Sequence, residues 1–187
     1  MKLLFSLLSI IISINLSAQL VISSNEIQNG QNTNSVLLEF ENSSNKGLLL
    51  PTVSRLPSNP NTGTILLDGT NPLEAKIKLK KKNEWMELST SSGNATATKI
   101  ADDRIENQEA KFIIGNETST NDGILVLESK TKAMVLPIVQ STDHIIKPSA
   151  GMIVFVKNED LDKSMLAVYN GTDWSYWTDN TQTYTFN

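Results

Sequence analysis

Lys46-Gly47-Leu48-Leu49-Leu50-Pro51-Thr52-Val53 returns in altered form as Lys132-Ala133-Met134-Val135-Leu136-Pro137-Ile138-Val139. Each time, three apolar residues run into a proline. Proline offers a sheet no N–H, so it belongs at a strand end, an edge or a bulge, and the run before it reads as a buried strand stopped there. No catalytic or cofactor signature surrounds either copy. The stretch is architectural, and it decides the fold.

Working outward from it, the two prolines stand 86 positions apart (137 − 51), and the similarity extends in both directions with single-residue slips. Upstream, Val36-Leu37-Leu38-Glu39-Phe40-Glu41 matches Gly123-Ile124-Leu125-Val126-Leu127-Glu128. Downstream, Gly63-Thr64-Ile65-Leu66-Leu67-Asp68 matches Gly151-Met152-Ile153-Val154-Phe155-Val156, and Trp85 falls opposite Trp174. The expectation is an all-β protein: two tandem copies of a small β-rich module, at 19–89 and 111–178, joined by a polar linker at 90–110 and followed by a tail at 179–187.

Each copy opens with a short apolar strand, Leu20-Val21-Ile22 or Phe112-Ile113-Ile114, followed by a loop rich in Asn, Ser and Thr. After Pro137, Ser141 or Thr142 can cap one helical turn, and little helix is expected elsewhere. Met152 to Val156 and Met165 to Tyr169 flank a polar turn and read as a β-hairpin. Asn170-Gly171 then sets a tight turn, because this pair tolerates positive φ. Thr90 to Lys99 lacks apolar periodicity and reads as linker, with a helical turn expected near Ala101 to Glu109. Tyr184-Thr185-Phe186 alternates as one more strand would.

The start of the chain carries Lys2, an apolar run from Leu3 to Ile14 and the small residues Ser17-Ala18. This is the pattern of a secretory signal peptide, 1–18, with the mature chain starting at Gln19. A retained anchor is the other reading, but the run is shorter than the about 20 apolar residues that a membrane span needs. No other stretch could span a bilayer. The chain is expected to be exported to the periplasm, the outer surface or the extracellular space. It contains no cysteine, so neither a disulfide nor a thiolate metal site contributes to stability. A module of this size buries only about 60% of its unfolded surface, which favours stacking or oligomerisation. The net charge of −4 and the lack of an arginine-rich patch argue against nucleic acid, whose phosphates demand a concentrated basic surface.

Nothing in the chain assembles into a reaction centre. His144 is the only histidine, which removes a Ser-His-Asp triad and a multi-histidine metal site within one chain. Asn158-Glu159-Asp160-Leu161-Asp162 has oxygen ligands but neither the spacing nor the glycine of a calcium loop. Asp102-Asp103 reads as a solvated pair. The chain is therefore read as non-enzymatic, without metal or cofactor. Two surface features remain. In Ala75 to Lys80 the alternation puts Lys76, Lys78 and Lys80 on one face of a strand, with Ile77 and Leu79 on the core face. With Lys81 and Lys82 these form the only basic patch, read as protection of a sheet edge or as a site for an anionic polymer. In Trp174-Ser175-Tyr176-Trp177, the match to Trp85 gives Trp174 a packing role. Tyr176 and Trp177 are then the candidates for stacking on sugar rings.

The second copy has a distinctive order: Ile114-Gly115, a polar loop, Ile124 to Glu128, Lys132 to Pro137, a loop ending at Pro148 and Gly151, a hydrophobic strand, and Tyr169-Asn170-Gly171-Thr172-Asp173-Trp174. It resembles repeat modules of secreted and cell-surface proteins of Bacteroidetes such as flavobacteria, and is similar to the β modules of phage tail-fibre-like proteins. Thr52 and Ile138 depart from it, standing where such modules often carry Arg after the proline. Lys82-Asn83-Glu84-Trp85 lacks the Asn-Gly turn. The resemblance implies an exported structural or adhesive protein with homo-oligomers, trimers included, and a surface protein or glycan as partner. The alternative is a carbohydrate-binding module using the C-terminal aromatics.

Overall fold

The computed structural model describes residues 20–23, 35–40, 45–98, 110–158 and 163–178. The signal-peptide residues 1–18, the helical turn expected at 101–109, the hairpin tip 159–162 and the tail 179–187 lie outside the described residues.

The all-β expectation holds. The strands are β1 (Leu20–Ile22), β2 (Val36–Phe40), β3 (Leu48–Leu49), β4 (Thr52–Val53), β5 (Ile65–Asp68), β6 (Lys76–Lys80) and β7 (Trp85–Glu87), then β8 (Phe112–Ile114), β9 (Leu125–Leu127), β10 (Ala133–Met134), β11 (Ile138–Val139), β12 (Met152–Asn158), β13 (Lys163–Tyr169) and β14 (Trp174–Trp177). The described residues contain no α-helix, only single 3₁₀ turns at Pro72–Glu74 and Thr142–His144. Asn71 caps the first by accepting from Leu73 N–H, and Pro72 suits the position because a first-turn N–H has no helical partner. Ser141 caps the second, accepting from Asp143 N–H.

A four-stranded sheet and a five-stranded one share a run of four strands in one order and sense. In the first, β4 pairs parallel with β5, and β5, β6 and β7 follow antiparallel. In the second, β11 pairs parallel with β12, and β12, β13 and β14 follow antiparallel. The prolines occupy matching places: Pro51 O accepts from Leu67 N–H and Pro137 O from Phe155 N–H, each at 2.9 Å. Lacking an N–H, each proline still offers its carbonyl to the ladder as an acceptor, so it stands between two short strands without interrupting either. Gly63 and Gly151 both adopt positive φ, 93° and 90°, and donate to the last residue of β6 and of β13. Trp85 and Trp174 open β7 and β14, opposite Lys80 and Tyr169.

These sheets pack face to face. Leu67 and Ile77 of the first meet Ile153 and Val168 of the second in one core that also holds Leu50, Leu88 and Ala95. The strict alternation of β13 sends Leu166 and Val168 into this core and Met165 and Ala167 into another on the far face, with Val154, Val156 and Tyr176. Burial on both faces explains why β12 and β13 read as continuous apolar runs. A third core joins Leu37 and Leu38 of β2 to Ile114 of β8.

The halves also share hydrogen-bond ladders. β10 pairs parallel with β2, and β3 pairs antiparallel with β12. Gly47 is required for the second contact, since a Cβ there would lie 2.4 Å from Met152 Cγ and 2.8 Å from Val154 Cγ1.

The expected edge-protecting role of the lysine strand is not what the structure shows. β6 is an interior strand, with β5 on one side and β7 on the other. Ile77 does face the core, fully buried, and Leu79 packs against it. The lysines alternate onto the opposite face and are half-buried there.

Candidate functional site

Among the described residues, no three His, Cys, Asp or Glu side chains are grouped to hold a metal. His144 is exposed in the 3₁₀ turn. What the described residues do offer is backbone and polar side chains committed to joining one β unit to another.

The chief joint involves Thr90 to Thr98, read from composition as linker. Gly93 exchanges two backbone hydrogen bonds with Ala75, at 2.8 and 3.0 Å, and Ala95 N–H donates to Pro72 O at 2.7 Å. Thr90 N–H donates to the buried Ser175 Oγ at 2.9 Å, and Ser91 Oγ donates to Asp173 at 2.9 Å. Asn170, 0% exposed, sits at the centre. Its Oδ1 accepts from Thr172 N–H at 2.9 Å and Asp173 N–H at 2.8 Å, closing the Asn-Gly turn. Its Nδ2 donates to Ser91 O at 2.9 Å. Gly93 and Gly171 let the two backbones touch, since a Cβ on either would lie within 2.0 Å of a carbonyl oxygen of Asn170 or Asn94. Residues 90–98 are thus a seam. The signal that would have found it was the pair of glycines facing each other across a long separation, which composition alone does not display.

The aromatic candidates for glycan stacking have other duties. Tyr176 is 7% exposed, and its hydroxyl lies 2.7 Å from Thr142 Oγ1. Burial pushes the phenol pKa above its ordinary value, with the Asp143 charge adding and the Thr142 hydrogen bond opposing. Trp177 is half-buried against the central core, and its indole N–H donates to Leu88 O at 2.8 Å. This corrects the expectation of a shallow exposed platform, because both faces of β14 are covered. Trp174 has the packing position expected of it, tilted against Tyr169 with ring centroids 5.2 Å apart.

The basic patch is largely self-neutralised. Lys76 pairs with Glu87, Lys78 with Asp68 at 2.8 Å, and Lys81 with Glu84 at 2.6 Å. Lys80 lies over the Trp85 ring, 5.8 Å from its centroid, and Lys82 is exposed. Burial raises the Asp68 carboxyl, but hydrogen bonds from Lys78 and from the Thr70 hydroxyl and N–H outweigh it and hold the group below the usual carboxylate value. An acidic polymer would have to displace these partners to bind here.

Residues 113–185 match a family model described as a phage tail like trimerisation region. The match begins within β8 and takes in β9 to β14, including the Asn170 turn and both candidate aromatics. No curated protein and no solved structure matches this chain. The match, confined to the C-terminal part of the chain, supports the tail-fibre-like resemblance; the described residues contain no helix long and apolar enough to cross a membrane.

Proposed function

We propose that this chain is a non-enzymatic structural protein that works as a homotrimer, built from a duplicated β module and exported to a surface or the extracellular space, where it serves as a scaffold or adhesive element. The observation that carries the reading is the match of 113–185 to a trimerisation region. Support for the duplication comes from the shared order and sense of β4–β7 and β11–β14 and from the equivalent roles of Pro51 and Pro137. Polar side chains at the seam are used up in holding elements together, which suits a structural role better than a reactive one.

Sedimentation equilibrium of the full chain lacking residues 1–18 tests this directly. A mass of three chains that persists on dilution is expected; a monomer at every concentration would overturn the proposal. Export is tested separately, by N-terminal sequencing of the native protein, with Gln19 or a close neighbour expected and an intact Met1 decisive against it.

A further inference from the structure

The equivalence of the two halves breaks at one place. β2 is flanked on both sides, by β1 and by β10, whereas β9 has β8 on one side and, among the described residues, no strand on the other. The matched registers, Leu20 opposite Leu38 and Phe112 opposite Leu125, make Leu125 the counterpart of Leu38. Leu38 is 1% exposed and Leu125 42%. Ile124 O accepts from Phe112 N–H and Glu128 N–H donates to Ile114 O, so Val126 faces β8 and the backbone groups of Leu125 and Leu127 point to the open side.

The strand that fills the corresponding edge of β2 is β10, which donates from Ala133 N–H to Ser35 O and from Val135 N–H to Leu38 O, each at 2.8 Å. By the 86-residue offset, Ala133 and Val135 correspond to Gly47, just before β3, and Leu49, within it. β3 uses its other edge for β12, with Leu50 N–H donating to Gly151 O at 3.0 Å. Strand alternation then aims the N–H groups of Gly47 and Leu49 away from β12, and the Leu49 side chain is 53% exposed. Among the described residues, two unfilled edges with matching donors and acceptors therefore stand on different parts of the same molecule.

Resting on the trimer reading above, we infer that the open edge of β9 is an assembly site whose occupant is β3 of a second copy, paired in parallel with Leu49 N–H donating to Leu125 O. The joint covers Leu125, and it repeats between chains the contact that β10 makes with β2 within one. Because it sets one surface against a different one, it is heterologous, and three copies form a closed ring when each step turns by 120°.

The cysteine-free chain makes the test clean. Leu49→Cys and Leu125→Cys are prepared as separate full-length variants and treated with a short bis-maleimide, alone and mixed. Strands in a sheet lie about 4.8 Å apart, within reach of that linker. The mixture is expected to cross-link between unlike chains, and neither variant alone to cross-link. Leu125→Lys is expected to weaken association at least tenfold, while Ile146→Lys, at an exposed apolar residue far from β9 in sequence, leaves it unchanged. A stable trimer with cross-links only between identical variants, or none, overturns the joint and leaves the trimer reading standing. A chain that stays monomeric overturns both.

Discussion

Replacing Asn170 by alanine removes the side chain on which the seam turns. Three hydrogen bonds of 2.8–2.9 Å are lost, and the Ser91 carbonyl and the N–H groups of Thr172 and Asp173 are left around a site with no exposure. At about 1 kcal/mol for each neutral hydrogen bond, the loss is about 3 kcal/mol. For a chain of this size that is a fall in melting temperature of about 6–12 °C. Urea unfolding followed by circular dichroism measures it directly. Asn170→Asp separates the two halves of the side chain: it keeps both acceptor contacts but sets a carboxylate against Ser91 O. Burial and the facing Ser91 O should raise that carboxyl above its unfolded pKa of about 3.9, against the lowering pull of the Thr172 and Asp173 N–H groups, so that its protonated form, which can donate to Ser91 O, is expected to be favoured in the fold. The Asp variant is then most stable below about pH 4 and loses stability as pH rises through the folded pKa. A change under about 1 kcal/mol for Asn170→Ala, or no pH dependence peculiar to Asn170→Asp, would refute this account of the seam.

Ser175→Ala strips the partner from Thr90 N–H and is expected to cost about 1–2 kcal/mol by the same unfolding measurement. Gly93→Ala forces a Cβ to within 2.0 Å of Asn170 O and is expected to cost about 1–3 kcal/mol or more, whereas Gly63→Ala meets no atom and carries only the positive-φ cost of about 1 kcal/mol. The depressed Asp68 carboxyl contributes stability above its unfolded value of about 4, which is lost as pH falls through the lower folded value. Lys78→Met should raise the folded Asp68 pKa in a carboxyl NMR titration; an unchanged value would assign the depression to Thr70 alone.

Much of the local structure was legible because local chemistry decides it. Each proline reads as the stop of a buried strand, and it does separate two strands, although the run before it is only two residues of strand with Leu49 exposed; Ser141 caps its turn, and the 152–169 hairpin follows from two apolar runs around polar residues. Neighbour relations were not legible. β3 and β10 are two residues long, and so short a strand carries no pattern that names its partner. The interior place of β6 was missed because lysines alternating with apolar residues suit an edge and a one-faced interior strand equally well. Tyr176 was misassigned against a signal that was present. It lies two residues from Trp174, so period two puts both on the same face, and both pack in the same core. The seam was hidden because serine, threonine and asparagine look alike whether water or a neighbouring strand satisfies them.

The crossing of ladders between halves has a consequence for how the chain is made. Leu48 pairs with Ile153, a residue 105 positions later (153 − 48). At ribosomal rates of about 5–20 residues per second, β3 waits roughly 5–20 s after its synthesis before the strand that completes it exists. For a chain exported N-terminus first, as proposed above, copies that emerge side by side carry the same unfinished edges, so in that interval pairing between siblings competes with pairing inside one polypeptide.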